Sequence, residues 1–212
     1  MKKILFIYGY GGSPQSNTCH MLRSMLPEDQ FEVICPTYPQ EDCAKAIEFL
    51  TQFIEQEDIN IVAGTSLGSF IALALPTDKP KFVINPCMKP AVELPKLNLM
   101  PDLANGALPS QEMIDTYAPF EQQLFTENHL DQSITGFFAE ADELLGTKYV
   151  DIFNEQFGEA HLVPGGHRAN QQAAQAAANA IIEFCSHNDE TENLTQPVAS
   201  YDNAVNAQEV KE

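Results

Sequence analysis

Basic side chains are scarce in this sequence. Its 212 residues carry 11 Lys and Arg against 30 Asp and Glu, for a formal charge of −19 at pH 7 and a pI near 4.4. A chain so acidic repels nucleic acid and anionic membranes, so neither is expected as a partner, and the acid surplus reads as a solubilising surface. Paired cysteines are lacking as well. Cys19, Cys35, Cys43, Cys87 and Cys185 are odd in number, far apart and never spaced C-x-x-C. That spacing argues against a disulfide framework or a zinc site, and for reduced thiols in a cytoplasm. No stretch reaches the ~20 apolar residues of a membrane span. The apolar start, Ile4 to Tyr8, is too short for a secretory leader and is interrupted at Gly9. Nucleotide-binding loops are missing too. Gly9-Tyr10-Gly11-Gly12-Ser13-Pro14 has proline where a dinucleotide fingerprint needs its third glycine, and it has no lysine for a P-loop. No metal or organic cofactor is expected.

What is present is a regular alternation. Short apolar runs at Lys3–Tyr8, Phe31–Cys35, Ile59–Ala63, Lys81–Asn85, Ile134–Ala139 and Ala160–Val163 read as strands buried on both faces. Between them lie helical patterns at Thr18–Leu26 (with Asn17 as its cap), Glu41–Glu57, Gly68–Leu75 and Lys148–Phe157, and a last one near Ala169–Cys185. The rhythm breaks from Cys87 to Ser133, a proline-containing insertion with helical pieces near Ser110–Tyr117 and Phe120–His129. Residues 188–212 are polar, acidic and aperiodic, and are expected to be an unstructured tail on a single domain of residues 1–187. The alternation implies a three-layer α/β fold: about six parallel strands, helices on both faces, and a small lid at 87–133.

The chain is organised around Ile61-Val62-Ala63-Gly64-Thr65-Ser66-Leu67-Gly68-Ser69-Phe70. G-x-S-x-G arises by chance in roughly one chain of this size in fifteen, so its context matters. Here a strand runs into the pattern and a helix leaves it. A serine at the tip of so sharp a turn leaves no room for a Cβ two residues to either side, hence Gly64 and Gly68. The turn projects the Ser66 hydroxyl and sets the Leu67 N–H at a helix N-terminus. In a parallel sheet, ligands bind at the carboxyl ends of the strands. Gly9–Gly12, Ser66, Asn85–Cys87, Asp142 and Gly165–His167 all follow strand ends, so five loops converge on one edge.

A serine nucleophile needs a base and a group to orient that base. Of the five histidines, His20 lies in an early helix, His129 in the insertion, His161 inside a strand and His187 at the end of the last helix. His167 follows Pro164-Gly165-Gly166 just beyond the last strand, on a turn able to carry an imidazole over Ser66. The orienting acid should follow the preceding strand, where Glu140, Asp142 and Glu143 all qualify. Position favours Asp142 by a small margin over Glu143. The glycine-rich first loop is a source of backbone N–H groups for a developing oxyanion. The order Ser66, Asp142, His167 is that of the α/β-hydrolases.

The combination of Tyr8-Gly9-Tyr10, Ser13-Pro14-x-Ser16, Gly64-Thr65-Ser66-Leu67-Gly68, Val83-Ile84-Asn85-Pro86, Ala141-Asp142-Glu143-Leu144-Leu145 and Gly165-Gly166-His167 resembles the small bacterial YqiA-type esterases. These are compact α/β-hydrolases acting on short acyl esters and thioesters. The resemblance spans about Lys2 to Cys185. It implies Ser66 as nucleophile, Asp142 as acid, His167 as base, and the backbones of Tyr10 and Leu67 as oxyanion donors. One residue departs from the family pattern: Tyr8 stands where histidine usually precedes the first glycine. The expectation is a serine hydrolase of short-to-medium acyl esters with a small-molecule substrate. Its rivals are a thioesterase or small amidase, and a catalytically silent hydrolase fold used for binding. Oligomeric state is not legible.

Overall fold

The computed structural model describes residues 1–104, 106–127 and 129–195. Six strands, β1 (Lys2–Ile7), β2 (Phe31–Ile34), β3 (Ile61–Thr65), β4 (Lys81–Ile84), β5 (Ile134–Ala139) and β6 (Glu159–Val163), form one sheet in the order β2-β1-β3-β4-β5-β6. Every pairing is parallel. Ile4, Leu5, Phe6 and Ile7 of β1 are wholly buried, as an unbroken apolar run covered on both faces requires. Strand order reverses once, between the β1–β2 and β1–β3 crossovers, and right-handed connection then sends α1 to one face and the next helices to the other. Thus α1 (Asn17–Met25) packs against α7 (Gln171–Thr195), while α2 (Cys43–Gln56) and α3 (Leu67–Ala74) pack together on the opposite side. α6 (Val150–Gln156) links β5 to β6. The result is the three-layer α/β-hydrolase fold.

The insertion after β4 contains α4 (Pro90–Glu93), two 3-10 turns (Leu94–Leu99 and Pro101–Ala104) and α5 (Gln111–Thr126). Glu93 anchors it. This carboxylate is wholly buried, receives the Lys148 ammonium and Tyr149 hydroxyl at 2.6 Å each on Oε1, and takes Lys96 on Oε2. Burial alone would raise its pKa, but the two ammonium groups and the hydroxyl hold it below the usual value.

Several boundaries differ from expectation. The cap of α1 is Ser16, whose Oγ accepts the Cys19 N–H at 3.3 Å, and not Asn17. The two helical pieces of the insertion are one helix, α5, running through Pro119. Tertiary anchoring outweighs the bond lost at the proline: Tyr117 packs on Phe70 and donates its hydroxyl to Gln40 O at 2.6 Å. α7 continues ten residues past Cys185, to Thr195, because no glycine or proline interrupts the sequence before Pro197. The remainder of the expected tail, 196–212, lies outside the described residues. Among the described residues no helix is long and apolar enough to cross a membrane, and all five cysteines are buried thiols.

Candidate active site

The turn at Ser66 is as tight as its glycines suggest. Ser66 adopts φ 53°, ψ −120°, a conformation that a residue with a side chain reaches only when its surroundings force it. A Cβ on Gly64 would lie 2.6 Å from Gly68 O, and one on Gly68 would collide with the carbonyls of Ile7 and Tyr8 at the end of β1. The strain is held by β4. Ser66 N–H donates to Ile84 O at 2.9 Å, and Ser66 O accepts the Cys87 N–H at 3.1 Å. Ser69 closes the same junction, donating its hydroxyl to Ile84 O and accepting the Ile84 N–H.

Three side chains meet there. Ser66 Oγ lies 3.0 Å from His167 Nε2, and His167 Nδ1 lies 2.9 Å from Asp142 Oδ2. A carboxylate only accepts, so Nδ1 carries the imidazole proton and Nε2 keeps the lone pair that can take the serine proton. Asp142 Oδ1 accepts the N–H groups of Leu144 and Leu145 at 2.9 and 2.7 Å. Burial would raise the Asp142 carboxyl, but the hydrogen bond and charge of His167 and these two N–H groups hold it below its ordinary value. It is therefore ionised at neutral pH. His167 and the Asp142 side chain are 7% and 2% exposed, enough shielding from water to make their interaction directional.

The neighbouring acids, Glu140 and Glu143, are both exposed, but Glu143 accepts the His167 backbone N–H on Oε2 at 2.8 Å. Opposite it, Asn85 is 1% exposed and donates through Nδ2 to His167 O at 2.8 Å and Gly166 O at 3.2 Å. Its Oδ1 accepts the Ala139 N–H at 2.8 Å, and its own N–H donates to Phe137 O. The histidine turn is thus held at both main-chain ends. Neither grip is stated by spacing alone. The signal available for Asn85 was its place before a proline at a strand end, since φ 46° is a conformation asparagine tolerates better than most.

Among the described residues, the backbone N–H groups of Tyr10 and Leu67 make no hydrogen bond within the protein. The first loop is held in place by other groups: Gly12 N–H to Gly9 O, Gly11 N–H to Gln40 Oε1, and Tyr38 hydroxyl to Tyr8 O at 2.6 Å. Tyr8 itself packs its ring on Tyr38, centroids 4.8 Å apart. A cleft of about 340 Å³ opens beside Ser66 between this loop, Leu103 of the insertion and His167–Ala169. The other histidines stand apart. His129 is buried, stacks on Phe157 and bonds Leu124 O; His161 stacks on Phe137; His20 and His187 are exposed. Among the described residues no group of three His, Cys, Asp or Glu could hold a metal ion.

Residues 3–210 match the model of an uncharacterised protein family, UPF0227. No curated protein matches the sequence. Solved structures share the fold at low identity. A protein of Agrobacterium vitis S4 is 14% identical with a TM-score of 0.69, over 86% of this chain and 87% of that one. Est1E of Butyrivibrio proteoclasticus, with ferulic acid bound, is 12% identical with a TM-score of 0.61, over 90% of each chain. The mouse alpha/beta hydrolase domain-containing protein 10 is 14% identical with a TM-score of 0.56, over 91% and 90%.

Proposed function

The chain belongs to UPF0227, the YqiA-type family its motifs resemble, and on that premise we propose that it is a serine hydrolase cleaving short-to-medium acyl esters. The observation that carries this reading is the hydrogen-bonded chain Ser66 Oγ, His167 Nε2, His167 Nδ1, Asp142 Oδ2, with links of 3.0 and 2.9 Å. His167 takes the Ser66 proton as the oxygen attacks an acyl carbonyl, and Asp142 holds the tautomer and stabilises the imidazolium that results. The Tyr10 and Leu67 N–H groups receive the oxyanion. Each such donor is worth about 3 kcal/mol in the transition state. The imidazolium then protonates the leaving alcohol, and water, deprotonated by the same ring, releases the acid from the acyl-enzyme.

Two glycines, a strained serine and a doubly clamped histidine together hold a geometry that a binding module has no use for, which weighs against a silent scaffold. Buried cysteines that form no disulfide support a cytoplasmic setting. The test is hydrolysis of 4-nitrophenyl butyrate together with labelling by a fluorophosphonate. The wild type turns over the ester and is labelled at Ser66. Ser66→Ala, folded by circular dichroism, does neither, because removing one member of such a set costs most of the rate. Substantial turnover by folded Ser66→Ala overturns the reading.

A further inference from the structure

The cleft beside Ser66 differs from the rest of the molecule in charge. In a chain with 30 acidic residues and 11 basic ones, no carboxylate among the described residues lines this cleft, and Arg168 does. Its walls include Ser13, Gln15 and Asn17, and among the described residues Leu103 and Ala169 are its only aliphatic side chains. A long acyl chain needs an apolar channel to leave water. About 340 Å³ with two aliphatic side chains does not offer one.

Arg168 is placed with care. It follows His167, whose N–H is held by Glu143 and whose carbonyl is held by Asn85, so the start of its side chain is fixed relative to Ser66. The guanidinium reaches the lid, where Nη2 donates to the carbonyl of Asp102, next to Leu103. This contact places the side chain between the rim of the cleft and the insertion. At long range the surplus acid repels any anion, so an anionic substrate needs a local cation between acid-free walls. Arginine recognises carboxylate and phosphate through paired, charge-assisted hydrogen bonds.

We propose that the substrate is a small ester that also bears a carboxylate or a phosphate, and that Arg168 reads that group. This rests on Ser66 being the nucleophile. Two matched pairs test it: mono-4-nitrophenyl adipate against 4-nitrophenyl hexanoate, and 2-acetoxyethyl phosphate against 2-acetoxyethanol, each corrected for the uncatalysed rate. In at least one pair, wild-type kcat/KM favours the charged ester on the order of tenfold, the size expected of a charge-assisted pair. The pair that shows it tells carboxylate from phosphate. The ratio falls toward one in Arg168→Gln, falls below one in Arg168→Glu, and is partly kept in Arg168→Lys. Ratios at or below one in both wild-type pairs overturn the proposal. So does a ratio unchanged by Arg168→Gln, which would leave Arg168 as a tie to the lid. If Ser66 is labelled by the fluorophosphonate but no ester turns over, protection decides. Adipate or 2-hydroxyethyl phosphate slows labelling and adipamide does not, and the absence of that difference overturns the proposal. Failure of both labelling and turnover instead removes the hydrolase reading beneath it.

Discussion

The two ends of the sheet handle backbone and charge in opposite ways. At the amino ends, between the turn after α3 and α5, lies a hollow of about 630 Å³, roomier than the cleft at Ser66. Several polar groups on its walls are engaged by neighbours. Lys81, 1% exposed, donates to the terminal carbonyls Leu73 O and Leu75 O at 3.2 and 3.1 Å and to Gln132 Oε1 at 3.1 Å. His129 is stacked and bonded to a carbonyl. At the carboxyl ends Ser66 and Asn85 sit at positive φ, as Asp58 does in the turn before β3, but only there, among the described residues, do the Tyr10 and Leu67 N–H groups lie beside such strain without a hydrogen bond. Volume therefore does not locate the chemistry. Strain that neighbours must maintain, beside donors left without acceptors, does so better.

The contrast is broken most severely through Asp142. Asp142→Asn preserves the shape but favours the wrong imidazole tautomer, so kcat should fall on the order of 10³–10⁴ with KM little changed. Glu140→Gln and Glu143→Gln should each cost less than about tenfold, since an exposed carboxylate does little and a glutamine oxygen still accepts the His167 N–H. Steady-state kinetics of the three amides side by side makes the check. A crippled Glu143→Gln beside a near-normal Asp142→Asn would move the acid by one residue.

Asn85→Ala should act less strongly. It frees the His167 and Gly166 carbonyls, orphans the Ala139 N–H and places alanine at φ 46°. A loss of about tenfold to a hundredfold in kcat is expected from misplacing the base. A matching fall in the rate of Ser66 labelling, measured below the melting temperature, separates this from plain unfolding.

The amino end yields the smallest effect on activity. Lys81→Met leaves kcat unchanged and costs about 1–3 kcal/mol of stability by orphaning buried carbonyls. Burial pushes the Lys81 ammonium down to about 8, below its unfolded value of about 10.4. Between those two values the unfolded chain holds a proton that the folded one has released, so Lys81 contributes stability that rises with pH across that window. Thermal melts of both proteins from pH 7 to 10.5 should show the wild type gaining on Lys81→Met as pH rises. A constant gap would place the charge in water.

Much of this is legible in the sequence. The strands announced themselves because a sheet covered on both faces demands unbroken apolar runs, and Gly64 and Gly68 because backbone closes on both. Of the nominated residues, Ser66, Asp142 and His167 meet within hydrogen-bond distance. Hidden from spacing were contacts that depend on tertiary geometry. Glu143 reads as solvated acid or as a rival to Asp142, yet it holds a backbone N–H. Asn85 sits 82 residues from the carbonyl it grips. The continuous α5 was missed because the cost of Pro119 is local and visible, while the hold of Tyr117 on Gln40 is neither.

Glu93 has a consequence for how such a molecule can be rebuilt. Its partners Lys148 and Tyr149 follow Asp142 by six and seven residues, on the very loop that carries the acid. Replacing residues 87–133 with a foreign segment would remove the carboxylate that Lys148 and Tyr149 bind, six and seven residues after Asp142. The insertion and the 142–149 segment are therefore joined by a buried charge, and exchanging either one calls for the other or for a substitute for that charge.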